Sequence, residues 1–277
     1  MTGIENIAKI LSQAMAENKQ IHLLGEALPI SGTATPILSS HPNRCHLLPA
    51  ADATLIGLAI GIAISGGKAV VELSGPEALW GALQQLGQEA SALQGEFEAT
   101  LVIRVPMPPN PFNPLSLFDG LEHINVVSPS NSADAGALFE AALNTAGVTI
   151  LLEPITVLAE SGGTAGKPTI GSAEVITSGS HVTIAAWGDG VTLAEKASRS
   201  LRSEGIEAEV IDLRALFPLD IETLGHSVHK TGRLVLVNGS PKTLLSLTEH
   251  AFLRLESPPV NAGFDQILSK ARAAVHY

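Results

Sequence analysis

The feature that most constrains the fold is an alternation of apolar strands and helices in the second half of the chain. The segments are a buried strand, a helix, a second strand and, after another helix, a third strand: Val182–Trp187, Leu193–Glu204, Ile206–Leu213 and Arg233–Val237. Strands that alternate with helices form parallel sheets covered by helices. This order predicts a parallel α/β domain.

The first half of the chain predicts the same layered architecture. Apolar residues recur at helical spacing over Ile4–Glu17, and the small residues of Asp52–Ser65 predict a closely packed, buried helix. A loop rich in Ser, Gly, Thr and Pro is predicted over Pro29–Pro42. The other predicted elements are strands Ile21–Leu24, Ala69–Leu73, Thr100–Val105 and Val148–Glu153, and helices Pro76–Leu93 and Asp134–Ala146.

A linker separates the two halves. The segment Ala159–Gly171 has four glycines, a proline and no apolar run, which is typical of a linker. We therefore expect two three-layer α/β domains with mostly parallel sheets, at residues 1–160 and 172–277.

Composition excludes several classes of function. The chain has 16 Lys and Arg against 27 Asp and Glu, and a net charge of −11 repels nucleic acid. The apolar run Leu55–Ser65 is shorter than the roughly 18 residues of a membrane span. Met1–Lys9 lacks the pattern of a secretion signal, and a single cysteine, Cys45, suits a reducing compartment. We expect a cytoplasmic protein that binds neither membrane nor nucleic acid.

A proline-rich segment follows the strand Thr100–Val105. Pro106–Pro114 holds five prolines in nine residues, which predicts a loop at the carboxyl end of a strand and excludes a central strand. Ligands bind at that edge of open α/β sheets, so the loop is either part of a site or a rigid surface connection.

Several phrases carry a resemblance to a known family. "GIEAEVIDLRALFPLD" and "HKTGRLVLVNG" resemble the C-terminal domain of β subunits of thiamin-diphosphate-dependent 2-oxo acid dehydrogenases, a branch of the transketolase superfamily. "IHLLGEA", "LPAADATLIGLAIGIAISGGKAVVEL", "TLVIRVP" and "ILLEP" resemble the family's pyrimidine-binding domain in the same order. The resemblance implies a pyrimidine-binding-like domain followed by a transketolase C-terminal-like domain.

The resemblance also implies two site residues. Asp52 lies where the family has the glutamate that hydrogen-bonds N1′ of the cofactor's aminopyrimidine, and Glu26 matches the glutamate after the first strand. The resemblance thus implies that Asp52 is catalytic and that Glu26 and Asp52 bind cofactor. Aspartate is shorter than glutamate by one methylene, about 1.5 Å of reach. The alternative is that Asp52 caps the helix that follows it.

Three positions depart from the family pattern. Gly75-Pro76-Glu77-Ala78 replaces the segment that supplies an aromatic against the pyrimidine. The proline-rich Pro106–Leu117 replaces the loop with the acid/base histidine, and none of the nine histidines falls within it; His123 lies just beyond. Asn238–Lys242 replaces a later histidine-containing segment.

Three further motifs carry little weight. Gly188-Asp189-Gly190 resembles the start of the diphosphate and magnesium motif, but Arg214–Leu219 lacks its asparagine, so we interpret it as a strand-to-helix turn. His226 and His229 share a helix face without a third metal ligand, and we assign no metal site. Cys45-His46 lacks a positioned acid, which argues against a thiol nucleophile.

Two functions remain. The first is a β-type subunit of a heteromeric enzyme that shares thiamin diphosphate with a diphosphate-binding α-type subunit, which would hold the magnesium, and that acts on a 2-oxo acid or ketol donor. The second is a catalytically lapsed relative with an assembly or regulatory role. In either case the apolar helix Asp52–Ser65 predicts a homodimer or larger oligomer.

Overall fold

The computed structural model describes residues 1–26, 28, 31–49, 52–89, 99–109, 113–121, 123–163 and 168–277, without the side chains of Glu89 and Phe252. The chain divides into two compact units, Met1–Ile170 and Gly171–Tyr277. Each unit contains a mostly parallel sheet with helices packed against it. This architecture confirms the predicted α/β class.

The first unit is built on a parallel sheet. Its strands are β1 (Ile21–Gly25), β2 (Cys45–Leu47), β3 (Lys68–Glu72), β4 (Thr100–Met107), β5 (Ile124–Val127) and β6 (Gly147–Pro154). They lie in the order β5-β6-β4-β3-β1-β2, and each neighbouring pair is parallel. β4 and β6 are buried along nearly their whole length, as expected for strands covered on both faces.

Helices of the first unit pack on one another and on this sheet. They are α1 (Gly3–Glu17), α2 (Thr35–Ser40), α3 (Asp52–Ile64), α4 (Ala78–Gln84), α5 (Leu115–Phe118), α6 (Ser132–Leu143) and α7 (Ile155–Ala159). A 3-10 turn, Pro42–Arg44, precedes β2, and a π-helical turn, Gln85–Glu89, follows α4. α1 packs against α6, whereas α3 packs against β3 and α4.

The second unit has a smaller sheet. The strands of this unit are β7 (Glu174–Thr177), β8 (Val182–Ala186), β9 (Ala208–Asp212), β10 (Ala215–Phe217), β11 (Leu234–Val237) and β12 (Val260–Ala262). Five of them lie in the order β12-β11-β8-β9-β7, parallel except for the antiparallel pair of β7 and β9. The helices are α8 (Asp189–Arg202), α9 (Ile221–Thr231), α10 (Pro241–Ala251) and α11 (Ile267–Val275), with a 3-10 turn at Phe252–Arg254.

Short polar motifs fix where several helices begin. Thr2 and Glu5 form a reciprocal capping box at the start of α1, and Asn131 accepts hydrogen bonds from the first amides of α6. Asp220 caps α9 by accepting from the Thr223 amide, and the helix ends at Gly232 in the left-handed region. Within the described residues, no helix is long and apolar enough to cross a membrane.

Two predicted boundaries were wrong. The predicted loop Pro29–Pro42 contains α2, which tolerates Pro36 because proline at the first helical positions removes no hydrogen bond. The prolines also do not exclude a central strand, since β4 extends through Pro106, which pairs with Glu153 of β6. β3 ends opposite Arg104, so no β3 residue needs the amide proton that Pro106 lacks.

Three other predictions reach beyond the described residues. The helix Pro76–Leu93 is described only as far as residue 89, as α4 and the π-helical turn. Residues 110–112 of the proline-rich segment and residues 164–167 of the linker Ala159–Gly171 also lie outside the described part of the chain.

An imidazole pair joins β1 to the edge strand β2. The Nδ1 atom of His22 lies 2.9 Å from the Nε2 atom of His46, and the ring centroids are 5.2 Å apart with planes inclined by 19°. The two ring centroids are farther apart than the two nitrogens by nearly the diameter of one imidazole ring. The rings therefore lie edge to edge, with the two nitrogens facing each other. Only one of them can carry the proton between them.

This pair predicts acid sensitivity of the β1–β2 pairing. Burial, His46 and Arg44 lower the pKa of His22, so the folded chain binds this proton less readily than the unfolded chain. Stability should therefore fall as pH drops through the ordinary histidine range near ~6.5. We expect the urea midpoint of His22→Phe to fall less than that of the wild type between pH 7.5 and 5. The exposed His226, changed to Gln, is the control, and equal falls in all three proteins would contradict the prediction.

Candidate active site

β1 ends at Gly25, whose backbone lies close to its neighbours. A Cβ atom added there would lie 2.7 Å from Cδ2 of Leu28 and 3.1 Å from the carbonyl oxygen of Glu72. Only glycine permits this close approach. The next residue, Glu26, therefore emerges at the carboxyl edge of the sheet.

A buried charged group lies at the same edge. The strand register places Glu72 of β3 opposite Arg104 of β4. Glu153 lies on β6, the other strand that neighbours β4. Arg104 donates from Nε and Nη2 to the two carboxylate oxygens of Glu153, each at 2.9 Å, and from Nη1 to Glu72. The guanidinium carbon also lies 5.8 Å from the ring centroid of Phe139. Three strands are thus joined by one cation.

Burial dominates the electrostatics of this group. The Arg104 and Glu153 side chains are 5% and 2% exposed. Burial alone would lower the pKa of Arg104, but Glu153 and Glu72 together raise it, so the guanidinium stays charged. Burial raises the pKa of Glu153, and Arg104 opposes that rise. The paired charges compensate for the loss of solvation that burial causes.

A cavity of about 270 Å³ opens above this charged floor. Glu26, Glu72, Glu153 and Arg104 supply its charges, which leaves an excess of carboxylates. Apolar side chains form much of the remaining wall: Ile4, Leu73, Pro106, Ile155 and Leu158. Such a mixture of apolar wall and few convergent polar groups is typical of a small-molecule site.

The two carboxylates predicted from the sequence lie close enough for their charges to interact. Asp52 is the first residue of α3, where a carboxylate suits the helix dipole, and it is half-buried. Burial and the negative charge of Glu26 raise the pKa of Asp52, while a hydrogen bond from its own backbone amide opposes the rise. Glu26 lines the cavity, and Asp52 lies within its electrostatic reach. Asp52 can therefore hold a proton at higher pH than an ordinary aspartate.

The remaining sequence candidates lie elsewhere. Among the described residues of the proline-rich segment, Pro106 alone lines the cavity, and His123 is solvent-exposed. Burial raises the pKa of the Cys45 thiol, which opposes a nucleophilic role. His226 and His229 are exposed on α9. Gly188 forms the turn between β8 and α8, which confirms the interpretation of that segment.

Sequence reasoning did not assign a role to Glu72, Arg104 or Glu153. A signal was present, because each is a charged residue near the carboxyl end of an otherwise apolar strand: "VVEL", "VIRV" and "LLEP". Charged residues are rarely fully buried unless they are paired. Three such residues on strands of one parallel sheet indicate a shared ion pair at its carboxyl edge.

These observations define a two-unit α/β protein with an acidic site at the carboxyl edge of its first sheet. Residues 171–276 match the family described as Transketolase, C-terminal domain. The chain is 30% identical to the pyruvate dehydrogenase E1 component subunit beta of Acholeplasma laidlawii, covering 100% of this chain and 93% of that protein. It is 28% identical to the 3-methyl-2-oxobutanoate dehydrogenase subunit beta of Mycobacterium tuberculosis, covering 98% and 86%.

A solved structure shares the fold along the whole chain. It is a split-gene transketolase, described as an inactive beta4 tetramer, with a TM-score of 0.81 at 20% identity, and the match covers 100% of this chain and 98% of that one. The chain belongs to the E1 β-subunit family of 2-oxo acid dehydrogenases, within the transketolase superfamily.

Removing the central cation should strongly destabilise the first unit. Arg104→Met leaves Glu72 and the buried Glu153 without a counter-charge, and breaking such a buried pair costs about 3–5 kcal/mol. We expect the free energy of unfolding in urea to fall by that amount. Arg272→Met, which breaks an exposed pair with Glu204, is the control and should change little. Equal effects of the two changes would contradict the role of the buried group.

Asp52→Asn should stabilise the protein at neutral pH. The pKa of Asp52 is raised in the folded chain, so the ionised carboxylate is less favourable there than in the unfolded chain. The folded state therefore loses stability as pH rises through that pKa. Asparagine has no charge to bury and caps a helix as well as aspartate. We expect a higher urea midpoint than the wild type at pH 7 and no difference near pH 3. A lower midpoint at pH 7 would show that the charge is stabilising.

Proposed function

We propose that this chain is a β-type subunit of a heteromeric, thiamin-diphosphate-dependent enzyme of the cytoplasm. It would act on a 2-oxo acid or a ketol donor, by decarboxylation or two-carbon transfer. The observation that carries the proposal is the electrostatic pair of Asp52 and Glu26: Glu26 lines a partly apolar cavity, and its charge helps to raise the pKa of Asp52. The two β-subunit relatives support it, because their names assign them to 2-oxo acid dehydrogenases.

The described residues fit the aminopyrimidine half of the cofactor. Asp52 offers a carboxyl group that can share a proton with a ring nitrogen, and Glu26 strengthens its hold on that proton. The apolar wall of the cavity would exclude water from a bound ring. When bound, thiamin diphosphate would supply a nucleophilic thiazolium carbon.

The proposed α-type partner would hold the other half of the cofactor. Within the described residues, no group of three His, Cys, Asp or Glu side chains could hold a metal ion. The turn at Gly188 in the second unit caps α8, which suits a structural role. We therefore assign the diphosphate and magnesium to the partner, and Asp52 and Glu26 of this chain to the pyrimidine.

A second candidate function is assembly or regulation without turnover. It is favoured by Gly75, which lies where the family has an aromatic residue and whose added Cβ would already meet Oε2 of Glu77 at 3.0 Å. It is also favoured by the absence of histidine from the described part of Pro106–Leu117. The two candidates make opposite predictions for Asp52.

Turnover of the complex with the α-type partner distinguishes the two candidates. Asp52→Asn should abolish turnover of a 2-oxo acid panel while leaving the fold intact, because the amide cannot take up the proton. Asp52→Glu should preserve or raise activity, since it restores the reach of the family's glutamate. Ser65→Ala, at the exposed end of α3, is a control that should change neither rate. An active complex that is indifferent to Asp52→Asn would rule out the catalytic assignment.

We also propose that α3 forms a subunit contact. Leu58 and Ile64 are 42% and 46% exposed, and Gly57 and Gly61 leave open space on this helix. An exposed apolar helix surface with small residues suits close packing against a second copy of the chain.

Light scattering at micromolar concentration should therefore give at least a dimer. Leu58→Glu should lower the mass by placing a charge in the contact. Leu253→Glu, at a leucine that is 92% exposed in the second unit, is the matched control and should keep the wild-type mass. A wild-type monomer would contradict both the contact and the half-site proposal.

A further inference from the structure

A glycine in the middle of α4 contradicts the local preference of the sequence. α4 runs from Ala78 to Gln84, and Gly81 is its central residue. Glycine is less favourable than alanine inside a helix, because it loses more backbone freedom on folding. Such a local conflict often marks a position that serves a site.

The contact that this glycine makes explains its presence. A Cβ atom added to Gly81 would lie 3.3 Å from both Cβ and Oδ2 of Asp52, and 3.8 Å from Cγ. That is tighter than an ordinary van der Waals contact, so the carboxylate would have to move by a few tenths of an ångström. By contrast, a Cβ added to Gly57 or Gly61 of α3 would meet nothing within 4 Å. Of these three helical glycines, only Gly81 is in close contact with another side chain, and that side chain is Asp52.

We propose that Gly81 is a positioning residue, whose bare backbone on α4 lets the Asp52 carboxylate lie against that helix at the start of α3. The proposal rests on the role of Asp52 in the proposed function. Gly81 does not act on a substrate itself; it fixes where the carboxylate lies. The packing of α3 against α4 transmits the constraint.

The substitution Gly81→Ala should change the electrostatics of Asp52 in a definite direction. Burial is the largest cause that raises the pKa of Asp52. A methyl group beside Oδ2 removes water from the carboxylate, so it should raise that pKa further. A purely structural role of Gly81 in α4 would alter unfolding and leave the titration of Asp52 unchanged.

The first test is a titration of the isolated chain. Carboxyl carbons of 13C-labelled aspartate are followed by NMR in the wild type, Gly81→Ala and Gly120→Ala, with Asp52 assigned from Asp52→Asn. Gly120 is the matched control, because a Cβ added there meets nothing within 4 Å. We expect the Asp52 midpoint to rise in Gly81→Ala and to stay unchanged in Gly120→Ala. An unchanged midpoint in Gly81→Ala would overturn the inference.

The second test is kinetic and uses the complex with the α-type partner. Gly81→Ala should lower kcat on the order of tenfold with KM unchanged, because small displacements of a reacting group are costly. Gly120→Ala, the matched control, should leave both kcat and KM unchanged. Equal losses of kcat in Gly81→Ala and Gly120→Ala would overturn the positioning role.

Failure of this inference can be told from failure of the proposed function. If the titration midpoint of Asp52 is the same in Gly81→Ala as in the wild type, the positioning role is ruled out, whatever the activity of the complex. If the turnover of the complex is unchanged by Asp52→Asn, the proposed function is ruled out. The titration of the isolated chain still decides whether Gly81 positions the carboxylate.

Discussion

The bidentate pair of Arg104 with Glu153, extended by Glu72, is the interaction on which the site depends. It joins β3, β4 and β6 at their carboxyl ends and forms the floor of the cavity. Buried charges of this kind add little net stability compared with apolar side chains, but their geometry allows few arrangements. We attribute to this group the fixed register of the strands that carry the cavity.

Asp52 is held against the preference of its charge. Burial and the nearby charge of Glu26 make its ionisation less favourable, which raises the pKa of Asp52. Proteins bring like charges together chiefly where function requires a shifted proton affinity. Gly81 serves this arrangement, because a side chain there would displace the Asp52 carboxylate. The ionised Asp52 carboxylate costs some stability, and in return Asp52 holds a proton at higher pH than an ordinary aspartate.

The sequence predicted the elements with strong periodicity and missed those set by tertiary contacts. The apolar strands of the second unit and the helix from Asp52 were predictable because burial imposes their pattern. α2 and β2 could not be predicted in this way. α2 is short, and among the described strands β2 pairs with β1 alone. Asp52 and Glu26 were predicted as site residues from the family resemblance, whereas Arg104 and its partners required the strand register. The contact of Gly81 with Asp52 depends on helix packing, which no local pattern encodes.

The central claim is that this chain supplies one half of a thiamin diphosphate site. The most direct test is calorimetry with thiamin diphosphate and magnesium, on the chain alone and on its complex with the α-type partner. We expect weak or no binding by the chain alone, because the described residues offer no cluster that could hold magnesium. We expect tight binding by the complex, weakened in Asp52→Ala. Tight binding by the chain alone would contradict the half-site account, as would a complex whose affinity ignores Asp52→Ala.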